Sequence, residues 1–128
     1  MAYYTNSENV KQIKTVSTLD ELKDHIEALG WNVTEYEKNE WNIAQYSPAG
    51  EDFSFSITHN DSIKDAILEI FCYAYNFDVD EHIEMWVEAR NNGVSGVPNA
   101  RTLVHDAEDI QEMLDALSES FQVLSIAE

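Results

Sequence analysis

The spacing of apolar residues changes period twice along this chain, and few folds can accommodate that. Leu19, Leu22, Ile26 and Leu29 recur at helical intervals. From Trp31 the pattern alternates instead, in Trp31/Val33, Trp41/Ile43 and Phe53/Phe55/Ile57, with polar residues between. Helical spacing returns in Ile63, Ala66, Ile67, Ile70, Phe71, Ala74 and Phe77, again in Ile83, Trp86 and Val87, and finally in Leu103, Ala107, Ile110, Leu114, Leu117 and Phe121. A period of about 3.6 marks a helix with one buried stripe, and a period of 2 marks a strand with one buried face. The sequence therefore predicts an α+β fold in which a three-stranded antiparallel meander is combined with about four helices, in the order α-βββ-ααα.

The residues between these segments agree with that order. Ser17 or Thr18 can cap the first helix, Asp20 or Glu21 completes a capping box, and Gly30 stops it. Glu37-Lys38-Asn39-Glu40 and Ser47-Pro48-Ala49-Gly50-Glu51 are short polar turns of the kind that join antiparallel neighbours. Asp61 or Ser62 opens the second helix, whose wide stripe makes it the central core element. Asn76-Phe77-Asp78 separates it from a third helix, from about Asp80 to Arg90, and the loop from Asn91 to Pro98 leads into the last. Asn32, Thr34, Asn42, Ser54, Ser56 and Thr58 face away from the tryptophans and phenylalanines, so helices should cover only one face of the sheet. Residues 1–16 show no period and read as a flexible arm, which leaves 17–128 as a single acidic domain. Cys72, between Phe71 and Tyr73, reads as a small buried apolar residue.

Charge is what this pattern leaves unexplained. The 128 residues include 25 acids against 7 lysines and arginines, a net charge of −18, whereas solubility of a small domain is served by about 2 to 8 charges. The acids form no block of the kind found in disordered tails; they lie within the segments that carry the apolar periods. Asp80, Glu84 and Glu88 stand at i, i+4 and i+8 with Glu81 beside them, opposite Ile83 and Val87. Glu108, Asp109, Glu112, Asp115 and Glu119 repeat the arrangement opposite Ile110, Leu114, Leu117 and Phe121. Like charges at this spacing destabilise a helix by a few tenths of a kcal/mol per pair, and the lysines that would offset them are absent. One reading is a solvated face that happens to be acidic. The other starts from the advance of about 6 Å over four helical residues, which is comparable to the spacing of phosphates along a nucleic-acid strand. Two such rows would fit the lysine and arginine cleft of a nucleic-acid-binding protein, with strongly salt-dependent attraction.

High negative charge, about 130 residues, an α-βββ-αα core and carboxylate rows, from about Ser17 to Phe121, together resemble the DNA-mimic inhibitors of phages and mobile elements, the antirestriction and anti-CRISPR proteins. The resemblance is one of charge, size and architecture and carries no sequence motif. It implies an inhibitor that occupies the DNA-binding groove of a defence nuclease, such as a Cas effector or a restriction enzyme, and carries over no particular residues; from the rows themselves, Asp80, Glu81, Glu84, Glu88, Glu108, Asp109, Glu112, Asp115 and Glu119 are the expected partner-binding residues of a cytoplasmic, non-enzymatic protein.

Other chemistries are less well served by the residues. Asp78-Val79-Asp80-Glu81-His82 lacks the turn glycine and the twelfth-position glutamate of a calcium loop, and His25, His59, His82 and His105 are dispersed, so no metal or other cofactor is expected. Gly93-Val94-Ser95-Gly96 lacks the lysine of a phosphate loop. Cys72 could meet His59 or His82 only through the fold, and its apolar surroundings argue against a reactive thiolate. No apolar run reaches the roughly 20 residues that span a bilayer. Direct nucleic-acid binding is opposed by repulsion over the whole surface. The alternative function is a protein-interaction or accessory domain that binds through the polar sheet face, where Tyr36 and Tyr46 lie, or through the 91–98 loop.

Overall fold

The computed structural model describes residues 13–128. In chain order the elements are β1 (Lys14–Val16), α1 (Leu19–Glu27), β2 (Asn32–Glu37), β3 (Glu40–Tyr46), β4 (Asp52–Thr58), α2 (Ile63–Asn76), α3 (Val79–Asn91), α4 (Ala100–Ser120), a 3-10 turn at Phe121–Val123 and β5 (Leu124–Ile126). The α+β class, the four helices and the three-stranded antiparallel sheet β2-β3-β4 agree with the sequence reading. What it lacks is a second, two-stranded sheet in which β1 pairs parallel with β5, Val16 opposite Ile126. Val16 is completely buried, so the flexible arm expected over residues 1–16 is corrected at its last three positions; residues 1–12 lie outside the described residues.

The helix starts follow from side chains that satisfy the free N–H groups of the first turn. Thr18 Oγ1 accepts from the Glu21 amide at 3.1 Å while the Glu21 carboxylate accepts from Ser17 and Thr18, the reciprocal pair that the sequence predicts. Those bonds hold the Glu21 carboxyl below its ordinary pKa, the Ser17 backbone bond contributing most. Ser62, Asp78 and Asn99 cap α2, α3 and α4 in the same manner. α1 ends at Glu27, and Gly30, at φ 100°, closes the turn beyond it, where a Cβ would stand 2.6 Å from Gln45 Nε2. Leu29 falls in that turn and is exposed, so the helical phase that predicts its burial no longer applies.

Val33, Trp41, Ile43, Phe53, Phe55 and Ile57 form the inner sheet face; α2 packs against β4 and α1 against β2, α4 packs on α2 and α3, and Ile63, Ala66, Ile70, Ala74, Ile110, Leu114 and Leu117 join one core cluster with the sheet. Tyr73 lies flat on Phe55 at 4.4 Å between ring centres, and Phe77 stands edge-on to Phe53 at 5.8 Å. Burial, and secondarily the charge of Glu51, raise the Tyr73 hydroxyl above its ordinary pKa. The outer face carries Asn32, Thr34, Ser54, Ser56 and Thr58 in solvent, as alternation requires. His59 is buried against Trp41, and its Nδ1 accepts from the Asp61 amide across the left-handed pair Asn60-Asp61, so the proton sits on Nε2, 3.7 Å from Glu35.

Three apolar assignments on the helices are corrected. Cys72 is exposed, because residues adjacent in sequence do not share a helix face: it stands about 200° around α2 from Ile70. Phe71 is likewise 40% exposed, a quarter turn from Ile70. On α3, Ile83, Trp86 and Val87 are only half-buried and no residue is fully buried, since this helix packs along α4 at the margin of the core. One consequence is chemical: the native protein should react with a water-soluble maleimide at one thiol, at a rate close to that of the unfolded chain. A thiol that labels only in denaturant would contradict its placement.

Glu128 closes the fold from the other end. Its carboxylate accepts from Ser62 Oγ at 3.0 Å and from the backbone N–H groups of Ile63 and Lys64, satisfying free donors of the first turn of α2. The Ile63 bond is the main cause of a carboxyl pKa held below 4.5. A depressed carboxylate stabilises the fold above the unfolded pKa and ceases to as pH falls through the folded value. Glu128→Gln should therefore lower the melting temperature at pH 7, and the gap between variant and wild type should close on acidification below about pH 4. A gap that stays constant across that range would show that the carboxylate charge contributes nothing.

Candidate protein-binding surface

α3 runs from its Asp78 cap with Val79, Ile83, Trp86 and Val87 turned toward the protein, which leaves the opposite side to Asp80, Glu81, Glu84 and Glu88, all exposed. Asp80 and Glu81 are in the first turn, where carboxylates are favoured by the helix dipole; Glu84 and Glu88 have no such support. α4 buries Leu103, Asp106, Ala107, Ile110, Leu114, Leu117 and Ser118. Glu108, Glu112, Asp115 and Glu119 lie on its far side and are exposed, with Asp109 half-buried at the flank. No base occupies the last turn of α4, so Glu119 faces the negative end of the dipole without compensation. The structure thus gives each predicted row a solvent-facing helix surface.

Few of these carboxylates have partners. Gln111 Nε2 donates to Asp115 at 3.0 Å, and His105 approaches Glu108 at 3.9 Å in full solvent, a contact of little energetic weight. Among the described residues the ion-pair contacts all involve histidine, and no lysine or arginine lies within 4.0 Å of a carboxylate. The acidic surface is therefore not an ion-pair lattice. Its charges are free to act outward, screened only over about 10 Å at 0.1 M salt.

Two acids that the sequence reading does not single out have defined work. Asp106 is buried, accepting from Ser47 Oγ at 2.6 Å and from the Ala49 amide at 2.9 Å, while Ser47 Oγ accepts in turn from the Glu51 amide. This carboxylate fastens the β3-β4 turn to α4. Glu51, in that turn, meets His82 Nε2 of α3 at 3.0 Å with both side chains largely covered. Beside them a cleft of about 690 Å³ opens between β4, α2 and α3, walled by Phe53, Tyr73, Phe77 and Trp86, with Asp78 and Glu81 at its margin. One signal for Asp106 is present in the sequence: it is an acid within the apolar stripe between Leu103 and Ala107, not in the row that starts at Glu108.

The remaining sequence candidates separate in space. His59 is buried while Cys72 is exposed, and His82 is engaged by Glu51. His25 donates or accepts at Ser120 Oγ, 3.0 Å away, and packs on Phe121; burial, then the charge of Lys14, lowers its pKa. Among the described residues no three histidine, cysteine or carboxylate side chains are grouped to hold a metal ion, and no helix is long and apolar enough to cross a membrane. The Asn92–Asn99 connection is exposed except at Val97 and Pro98. No protein-family model matches the chain, and no curated protein or solved structure matches it either.

Proposed function

We propose that this protein is a non-enzymatic inhibitor that mimics the charge of nucleic acid and occupies the basic DNA-binding cleft of a defence nuclease, such as a Cas effector or a restriction enzyme. The observation that carries the reading is the exposure of carboxylate rows on α3 and α4 without a lysine or arginine counter-ion among the described residues. Each row imposes a like-charge cost on its own helix, and attraction to a basic partner is what would offset it. Binding is stoichiometric, requires no cofactor, and is driven by steering and by release of screening ions, so it weakens steeply with salt. The test is a pull-down from lysates containing restriction and Cas nucleases, washed at low and high salt, with mass-spectrometric identification of what is retained. A nuclease that is competed off by its own DNA and lost at high salt is the expected result. Retention only of salt-insensitive partners would overturn the reading.

A second reading has its own observation: Tyr46 is 70% exposed on the outer sheet face, opposite Asp52 and followed along the neighbouring strand by the hydroxyls of Ser54 and Ser56. A partner docking there would be weakened by Tyr46→Ala and would be nearly indifferent to salt.

A further inference from the structure

The chain turns sharply between α2 and α3, and the turn leaves aromatic surface uncovered. α2 ends at Asn76, Phe77 follows in an extended conformation, and Asp78 already caps α3; the cleft of about 690 Å³ opens between these helices and β4. Neighbouring rings line it. Phe53 stands 5.8 Å from Phe77 and 6.2 Å from His82 between centres, and Phe77 stands 6.4 Å from Tyr73 and 5.4 Å from His82. Trp86 extends this surface, and Tyr73, Phe77 and Trp86 are all half-buried. Four carboxylates, those of Glu51, Asp52, Asp78 and Glu81, stand around the rings, and no lysine or arginine lines the cleft among the described residues. His82 already engages Glu51, whereas Asp52, Asp78 and Glu81 are exposed.

We infer that the cleft receives an arginine side chain of the basic partner, its guanidinium flat against the rings and its N–H groups directed at the carboxylates; that the arginine belongs to such a partner rests on the function proposed above. Ring faces carry partial negative charge and attract a cation, most strongly where water is excluded. The surrounding carboxylates add to that attraction and repel phosphate and nucleic acid. An uncharged apolar group would cover the rings but strip water from the carboxylates with no bond in return. A metal ion finds no grouped set of three ligands among the described residues. Arginine is favoured over lysine because the guanidinium is planar, more weakly hydrated, and able to stack while donating in its own plane. A volume of about 690 Å³ lies within the range of roughly 300 to 1000 Å³ of sites that bury a whole ligand, enough for the side chain and the peptide groups that carry it. Position favours a partner's side chain over a free small cation. Glu81 belongs both to the cleft and to the α3 row, so a basic segment lying along Glu84 and Glu88 reaches the cleft without leaving the helix.

The probe is N-acetyl-arginine amide, titrated into the full chain at about 0.05 M salt, where attraction is little screened, and followed by NMR at the ring resonances of Tyr73, Phe77, His82 and Trp86. These should shift together and saturate with a Kd on the order of 1 mM. The corresponding lysine probe should bind about fivefold more weakly, and the neutral citrulline probe should shift none of them. Trp86→Leu should weaken arginine binding about fivefold by removing a ring face. Asp78→Asn combined with Glu81→Gln should also weaken it about fivefold; asparagine keeps the cap oxygen of α3, so circular dichroism should be unchanged. Removing two exposed charges from α1 instead, with Asp24→Asn and Glu27→Gln, should leave arginine binding as it was. Citrulline binding as well as arginine, an equal loss in the α1 variant, or tetramethylammonium binding more tightly than the arginine probe would overturn the inference. The probe needs no nuclease. A nuclease retained in the pull-down while the cleft rings do not shift with arginine refutes the cleft alone, and arginine seated in the cleft with only salt-insensitive partners retained supports the cleft while refuting DNA mimicry.

Discussion

Changing Glu84, Glu88, Glu108 and Glu112 together to lysine is expected to weaken binding to the captured nuclease by about 1000-fold, or about 4 kcal/mol at about 1 kcal/mol per reversed contact. All four are exposed, and among the described residues only Glu108 has an ion-pair or hydrogen-bond contact through its side chain, the loose one to His105. The fold has little to lose by the change. Removing like-charge neighbours from α3 and α4 relieves repulsion within each helix, so the melting temperature should stay or rise. Titration calorimetry against the nuclease at several salt concentrations checks both parts, since the variant should also lose much of the salt dependence of the wild type. A variant that is folded and binds with unchanged affinity would remove the DNA-mimic reading altogether.

The largest effect on stability is expected at Asp106. Alanine there deprives Ser47 Oγ and the Ala49 amide of their acceptor inside a mostly covered site. A buried donor left without a partner costs about 1 to 3 kcal/mol, and bonds to a charged group lie at the upper end. We expect Asp106→Ala to lose about 3 kcal/mol in denaturant unfolding, with a fall of about 10 °C in melting temperature for a chain of this size. Asp106→Asn keeps one acceptor and turns its amide nitrogen toward a donor, so its loss should be intermediate. Because Ser47 Oγ also orders the Glu51 amide, the variant should loosen the contact between Glu51 and His82, visible as a change in the His82 imidazole resonances. A loss below about 0.5 kcal/mol, the range of an ordinary surface substitution, would mean that the turn is held without Asp106.

The difference between the nine row acids and Asp106 indicates what one sequence can convey. Alternation from Trp31 to Ile57 and the helical stripe from Leu103 to Phe121 each report a local geometry, and the structure reproduces them with the expected faces buried. Caps behave similarly: Thr18 and Ser62 are short polar residues acting within three positions of themselves. The solvent placement of Glu84 or Glu112 is legible for the same reason, being the complement of the buried stripe. Asp106, Glu51 and Glu128 are not legible in that way, because their partners lie 57 to 66 positions away or on another element. Cys72 is a different failure. Its apolar neighbours in sequence point in other directions once α2 has formed, so composition misplaces a residue that angular phase would have placed in solvent. The sheet of β1 and β5 is hidden by its brevity: three residues show no period, and what makes Lys14–Val16 a strand is the arrival of Leu124–Ile126 beside it.

That pairing has a kinetic corollary. The helices and the meander can form from contacts close in sequence, whereas β1 and β5 meet only after nearly the entire domain has been threaded between them. Closure of so long a loop is entropically slow to reward. It is the step to expect late in refolding, and the first to reverse when the protein opens locally. Amide protons of Val16 and Ile126 should then exchange with solvent together, ahead of those in β3, as one cooperative unit whose opening also frees the start of α2 from Glu128.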